Sequence, residues 1–237
     1  MDGGPELAVY DLDRTLTDTG SWAHFIAHWL RTETPWRVLL LPMVLAGGIA
    51  YGVGAMSRGQ IKSWAHRWLI GPRVDAASLA AAAMRFAEAF VSAHALAPAR
   101  LAIAADAAAG RRVVIASASH GFYVRAIAAR FGVADVVATE AVRDGAFVTP
   151  ALAGENCYGP AKRAALEAWM ARAGLGGAVV HFTSDHDSDL PCFELALESG
   201  GTVLCANPST ALSAIAAARG WRQERWGRIR RSLLERA

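Results

Sequence analysis

LAVYDLDRT, Leu7 to Thr15, decides the fold. Four apolar residues in a row, without polar alternation, read as a strand buried on both faces, and the run ends in two acids. Similar short runs recur downstream. Val113 to Ser117 follows the break at Gly110-Arg111-Arg112, and Val136 to Ala138, Ala178 to Ser184 and Thr202 to Ala206 come after it. Helical patterns separate them, over Pro98 to Ala109, Phe122 to Phe131, Pro160 to Ala173, Leu190 to Glu198 and Ser209 to Ala218. Apolar strands alternating with helices predict an α/β chain with a parallel sheet covered on both faces. Gly20 to Ala97 breaks the alternation. It reads as helix after helix, with Trp22, Trp29, Trp36, Trp64 and Trp68 and no convincing strand. The expected organisation is therefore a discontinuous core of residues 1–19 and 98–237, interrupted by an all-helical cap over 20–97. Thr139 to Glu155, with a turn signal at Asp144-Gly145, reads as a hairpin excursion.

Composition sets the outer bounds. With 54% hydrophobic and 19% charged residues the chain is no disordered polymer. Cys157, Cys192 and Cys205 are odd in number and widely spaced, which argues against a disulfide framework or a zinc knuckle and fits a reducing cytoplasm. The first eleven residues carry acids and a strand instead of a basic-then-apolar leader. The net charge is +3. Much of the basic excess lies between Arg219 and Ala237, where seven Arg face two Glu. There Trp226, Ile229 and Leu233 recur at helical spacing on a basic background, as in helices that lie on membranes. Val38 to Met56 runs for 19 residues without a charge. A single crossing there would place Asp11 on one side of a bilayer and Ser117 and Asp185 on the other. Two readings remain: a helix pair buried in the cap, bent at Pro42 and Gly47-Gly48, or peripheral membrane contact through 38–56 and 221–237, with the five cap tryptophans as a headgroup-level belt.

Ligands of parallel sheets bind beyond the carboxyl ends of the strands. There the sequence puts Asp11-Leu12-Asp13-Arg14-Thr15, then Ser117, then Ser184 to Asp189, with Lys162 near the start of the preceding helix. Each piece has a bland reading: a loop cap, a helix N-cap, a solvated lysine, an acidic helix start. Together they suit phosphoryl transfer. A carboxylate attacks phosphorus, a second acid handles protons, a hydroxyl and an ammonium hold phosphoryl oxygens, and a divalent cation offsets anion–anion repulsion.

With DLDRT, the run ending in Ser117, Lys162 within NCYGPAK, and SDHDSDLP in this order, the chain resembles the haloacid dehalogenase (HAD) superfamily, subfamily IB, the phosphoserine phosphatase-like branch. That resemblance implies a Rossmann-like three-layer core with an inserted helical cap, and a Mg2+-dependent phosphatase that works through an aspartyl-phosphate. Asp11 would be nucleophile and metal ligand. Asp13 would be acid/base, with its backbone carbonyl on the metal. Ser117 and Lys162 would hold phosphate, Asp185 would complete the metal site, and Asp189 would orient it. Asp187 receives no ligand role. Phosphoserine phosphatases carry Glu nine positions past the nucleophile, and Gly20 stands there, which points away from phosphoserine while leaving the chemistry intact. Arg14 replaces a small residue and either reaches an anionic group of the substrate or faces solvent. The expected partner is a small-molecule or lipid phosphate ester, with no nucleic acid. The expected place is the cytoplasm or the inner face of its membrane. A membrane-surface phosphatase acting on a phosphatidylglycerophosphate-like lipid is the alternative enzyme. An inactive regulatory binding module and a dehalogenase are the remaining ones.

Overall fold

Strand β1, Glu6–Tyr10, is buried from Leu7 onward and lies at the middle of a six-stranded sheet. Its side chains alternate between the two faces, as a pleat requires. Ala8 and Tyr10 join one hydrophobic cluster, whereas Leu7 and Val9 join another on the opposite face. The computed structural model describes residues 4–227. After β1 come α1 (Ser21–Thr32), a 3-10 turn at Pro35–Leu40, α2 (Leu41–Gly52), α3 (Arg58–Ala65), a π-helical turn at His66–Ile70, β2 (Val74–Asp75) and α4 (Ala76–His94). Helix α5 (Ala97–Ala108), β3 (Arg112–His120), α6 (Gly121–Arg130) and β4 (Asp135–Thr139) follow, then the hairpin of β5 (Ala141–Asp144) and β6 (Phe147–Leu152). The chain continues through α7 (Pro160–Arg172), β7 (Val179–Ser184), α8 (Leu190–Glu198), β8 (Val203–Ala206), α9 (Thr210–Arg219) and β9 (Arg222–Glu224).

The main sheet has the order β4-β3-β1-β7-β8-β9, and every pair in it is parallel. The chain leaves β1 toward β3 and β4, then returns to the other side of β1 for β7, β8 and β9. That reversal opens a crevice at the carboxyl ends of β1, β3 and β7. The register of β3 against β4 shifts between Ser117 and His120, a bulge at the rim of the crevice.

The insertion is less separate than a stack of helices suggests. Phe25 and Trp29 of α1 and Phe86 and Phe90 of α4 share one cluster with Ile115 of β3 and Tyr123 of α6. The insertion also contains a short strand that the sequence hid: Val74 and Asp75 pair antiparallel with Val148 and Phe147 of β6.

Three expectations about apolar segments need correction. Two stretches, Pro35–Gly52 and Ala76–His94, are long and apolar enough to cross a membrane by composition. The second is α4, whose Leu79, Ala82, Phe86 and Phe90 fill the core. In the first, Gly47 alone is buried, so the buried helix pair does not exist. Gly47-Gly48 does not bend it either, since α2 runs unbroken from Leu41 to Gly52. Gly47 instead lets the Trp64 indole in: a Cβ there would lie 2.4 Å from the ring. The tryptophan belt also dissolves, because Trp29 is buried and Trp36 is the one exposed member of the five. At the other end, Arg222–Glu224 is an edge strand and not part of an amphipathic helix, and Trp226 is buried with its indole N–H on Glu224 at 2.6 Å. Ile229 and Leu233 lie outside the described residues.

Candidate active site

Asp11 follows β1 directly, and its backbone N–H donates to the Thr183 carbonyl at 2.9 Å, so the carboxylate is presented where the strand stops. Lys162 is in the first turn of α7, behind Gly159, whose positive φ of 58° turns the chain into the helix. Its ammonium is buried and donates to Asp11 Oδ1 and to Asp189 Oδ2, both at 2.8 Å. Ser184, the last residue of β7, donates its hydroxyl to the same Asp189 oxygen at 2.7 Å. The other Asp189 oxygen, Oδ1, is buried with no hydrogen-bond partner among the described residues. Thr15 Oγ1 stands 3.2 Å from Asp185 Oδ1 and 3.4 Å from Asp11 Oδ2, so one hydroxyl touches both carboxylates and its single proton serves one of them.

Asp13 is held apart from that group. Its Oδ1 accepts the backbone N–H of Ser21, the first residue of α1, and its Oδ2 accepts the Ser119 hydroxyl, each at 2.7 Å. Ser117 is buried, and its Oγ accepts the N–H of Ser119 at 3.1 Å. Asp11, Asp13, Ser117, Lys162, Asp185 and Asp189 all line one pocket of about 260 Å³. Arg14 is exposed at its rim with a φ of 65°, fixed by Asn207 donating to its carbonyl at 3.2 Å. Asp187 turns away and accepts the Ser209 hydroxyl at 3.3 Å.

Three buried carboxylates, Asp11, Asp185 and Asp189, gather around one buried ammonium, so the buried centre of the site is short of positive charge, while Arg14 and Arg58 stand at its rim. Burial pushes the Asp11 carboxyl up to about 8 against the pull of Lys162, and pushes Asp185 up to about 6. The carboxylates on either side hold Lys162 well above its ordinary value despite its burial. A hard divalent cation fits this deficit. Among the described residues no three His, Cys, Asp or Glu side chains form a ready ligand cluster. Asp11 and Asp185 offer two carboxylates, and Mg2+ takes oxygen ligands and usually keeps several waters.

Comparison with known proteins decides the family: the haloacid dehalogenase-like hydrolase model matches residues 8–194, from β1 into α8. The chain belongs to that family. This hydrolase matches no curated protein. Among solved structures, a Bordetella pertussis Tohama I protein of unknown function is 26% identical, covers 93% of this chain and 98% of its own, and superposes with a TM-score of 0.78. A probable phosphoserine phosphatase from Vibrio cholerae is 13% identical over 94% of this chain and 62% of its own, with a TM-score of 0.65. An apo phosphoserine phosphatase is 15% identical over 98% of both chains, with a TM-score of 0.58. Likeness at that distance carries the hydrolase fold: a parallel sheet with a helical insertion after its first strand.

Several residues of the hydrolase pocket escaped sequence reasoning. Thr15 and Ser184 lie inside the quoted motifs, and their hydroxyls carried the signal. Ser119 reads from sequence as the start of a helix, yet it grips Asp13. Arg58 and Tyr158 line the pocket as a stacked pair, guanidinium 4.0 Å from the ring centroid, and come from segments 100 residues apart. Lys62 of α3 is half-buried and donates to the Ala118 carbonyl and to Asn156 Oδ1, with Thr139 Oγ1 3.5 Å away. Burial lowers its ammonium to about 8. Nothing local in the sequence marks these last three.

Proposed function

We propose that the chain is a Mg2+-dependent phosphomonoesterase that passes the phosphoryl group through Asp11. The observation that carries this reading is the buried Asp11 carboxylate, 2.8 Å from Lys162 and linked through Thr15 to Asp185, with Asp13 two residues on. One Asp11 oxygen attacks phosphorus and the ester oxygen departs. Asp13, held in place by Ser21 and Ser119, acts as the general acid and gives that oxygen a proton. The same carboxylate then takes a proton from the water that attacks the acyl phosphate, releasing phosphate and restoring Asp11. The Ser117 hydroxyl and the Lys162 ammonium bind phosphoryl oxygens. Mg2+, held by Asp11, Asp185 and the Asp13 backbone carbonyl, would supply charge neutralisation between nucleophile and phosphate. Asp189 keeps Lys162 and Ser184 in place. The substrate is a small or lipid-linked organic phosphate, met in the cytoplasm or at the inner face of its membrane; the three free, buried cysteines suit a reducing compartment.

A panel of metabolite and lipid phosphates plus p-nitrophenyl phosphate, with Mg2+ or with chelator, tests this reading. Turnover that needs Mg2+ and disappears in Asp11→Asn is expected. Alkali-labile phosphate on the acid-quenched wild type, absent from that variant, is the second expectation. Metal-independent turnover, or an active Asp11→Asn, overturns it.

A further inference from the structure

Helix α2 presents a face that soluble domains do not usually leave bare. Leu39 in the turn before it, Leu45, Ile49 and Val53 are each at least 68% exposed and recur at intervals of four to six residues. Contiguous apolar surface of this kind marks an interaction site. The helix is not loose: the Trp64 indole donates to the Met43 carbonyl at 2.7 Å and packs on Gly47, which pins α2 to α3 with its apolar side outward. Nor is it a span. Twelve residues of α-helix reach about 18 Å, well short of a hydrocarbon core of about 30 Å. The segment also leaves from and returns to one core, where the Trp29 indole donates to the Ile70 carbonyl at 3.2 Å.

The segment that carries the face is basic, although Arg73 at its end pairs with Asp144 at 3.1 Å. Residues 34–74 hold Arg37, Arg58, Lys62, Arg67 and Arg73 and no Asp or Glu. Exposed Arg58 borders the apolar surface beside Leu45 and Ile49, and Arg67 of the same segment is exposed as well. An apolar face inside a wholly basic segment complements anionic lipid headgroups over acyl chains. Alongside these side chains runs an open apolar groove of about 750 Å³, lined by Val44, Leu45, Ile49, Ile61, Trp22 and Arg58. Arg58 also lines the catalytic pocket, so one guanidinium borders both spaces.

We propose that α2 seats the chain on an anionic phospholipid surface, and that the groove between α2 and α3 takes the acyl chain of a lipid phosphate monoester whose phosphate reaches Asp11. The second half rests on the phosphatase reading above; the first does not. A small polar ester has no use for an apolar groove beside its phosphate site. A lipid phosphate uses both, and Arg58 lines each of them.

Co-sedimentation with phosphatidylcholine vesicles, with and without phosphatidylglycerol, tests the docking in the intact protein. Binding to the anionic vesicles, weakened by salt, is expected. Leu39→Ser/Val53→Ser, checked for an unchanged melting temperature, lowers the partition by about tenfold or more. No binding to anionic vesicles, or binding indifferent to this variant, overturns the proposal. So does sedimentation equilibrium showing a dimer that the same variant splits, since a second copy would then cover α2. The groove is tested with alkyl phosphates of rising chain length: kcat/KM climbs with length in the wild type and the climb flattens in Ile61→Trp. A flat wild-type profile overturns the acyl assignment. Absence of turnover on every ester, p-nitrophenyl phosphate included, strikes the phosphatase reading and leaves the vesicle result standing on its own.

Discussion

Replacing Asp185 with Asn should stabilise the metal-free protein. Asp185 is buried, and its carboxyl is raised from 3.8 to about 6 chiefly by loss of water, so folding leaves a charge where little offsets it. A shift of about two pH units is worth about 3 kcal/mol. A carboxyl that binds its proton more tightly when folded lowers stability at every pH above the raised value. The cost fades as pH falls toward the ordinary carboxylate range. Asp185→Asn keeps an acceptor for the Thr15 hydroxyl and removes the charge. At pH 8 in chelator it should therefore gain about 3 kcal/mol, or roughly 6–12 °C in melting temperature for a chain of this length. At pH 5 the gain should fall to roughly half. Mg2+ should raise the wild-type melting temperature by neutralising the same charge and do much less for the variant. Calorimetry or dye-based melting of both proteins, at both pH values, with Mg2+ or chelator, gives the answer. A variant less stable than wild type at pH 8 in chelator, or one that responds to Mg2+ as strongly as wild type, refutes the charge-deficit account of the pocket.

Asp13→Asn should fold normally and lower kcat on p-nitrophenyl phosphate by about 10²–10⁴-fold, the usual worth of a general acid–base group; a milder loss removes Asp13 from that role. His66 is buried with neither ring nitrogen hydrogen-bonded among the described residues, and burial lowers it from 6.5 to about 4. Its share of stability is whole above the ordinary histidine value and drains as pH falls from 6.5 toward 4, so His66→Phe should lose about 2 kcal/mol less than wild type between pH 7 and pH 5 in urea titrations. Gly47→Val should cost about 1–3 kcal/mol by displacing Trp64, measured as a drop in melting temperature, and a neutral outcome would show that α2 can lift off α3 freely.

How far the sequence could be read depended on the distance over which each decision is made. Leu190 to Glu198 forms a helix with those bounds, and Val136 to Ala138 is extended by one residue at each end, because strand and helix patterns are local and repeat every few residues. The order of Asp11, Ser117, Lys162 and Asp185 was legible for a related reason: in a parallel sheet each lies at or near the end of an element, with Ser117 three residues inside β3, and that order is written in the chain. Burial was not legible. Val38 to Met56 has the composition of a core helix, and only the fold shows that α1 and α4 already fill the place beside α6 where such a helix would go. Trp226 erred in the opposite sense, since three residues of edge strand are too short to leave a period-2 signature. Lys62, Arg58 and Tyr158 meet the site only by folding across it. Ser119 lies within β3 and not at a helix start because the strand, past its bulge, continues three residues beyond Ser117 before α6 begins.

Lys62 carries one consequence for anyone who would transplant parts of this molecule. Its ammonium leaves α3 and ends on the Ala118 carbonyl, the peptide next to Ser117, with Asn156 and Thr139 completing its coordination. Besides its packing on the core, the insertion is thus tied to β3 beside Ser117 by one half-buried cation. A chimaera that exchanged residues 35–70 for a foreign helical segment would inherit three oxygens with nothing to bind, beside the residue it most needs intact. Such a graft has to bring its own lysine at that position, or redesign Asn156 and Thr139 along with it.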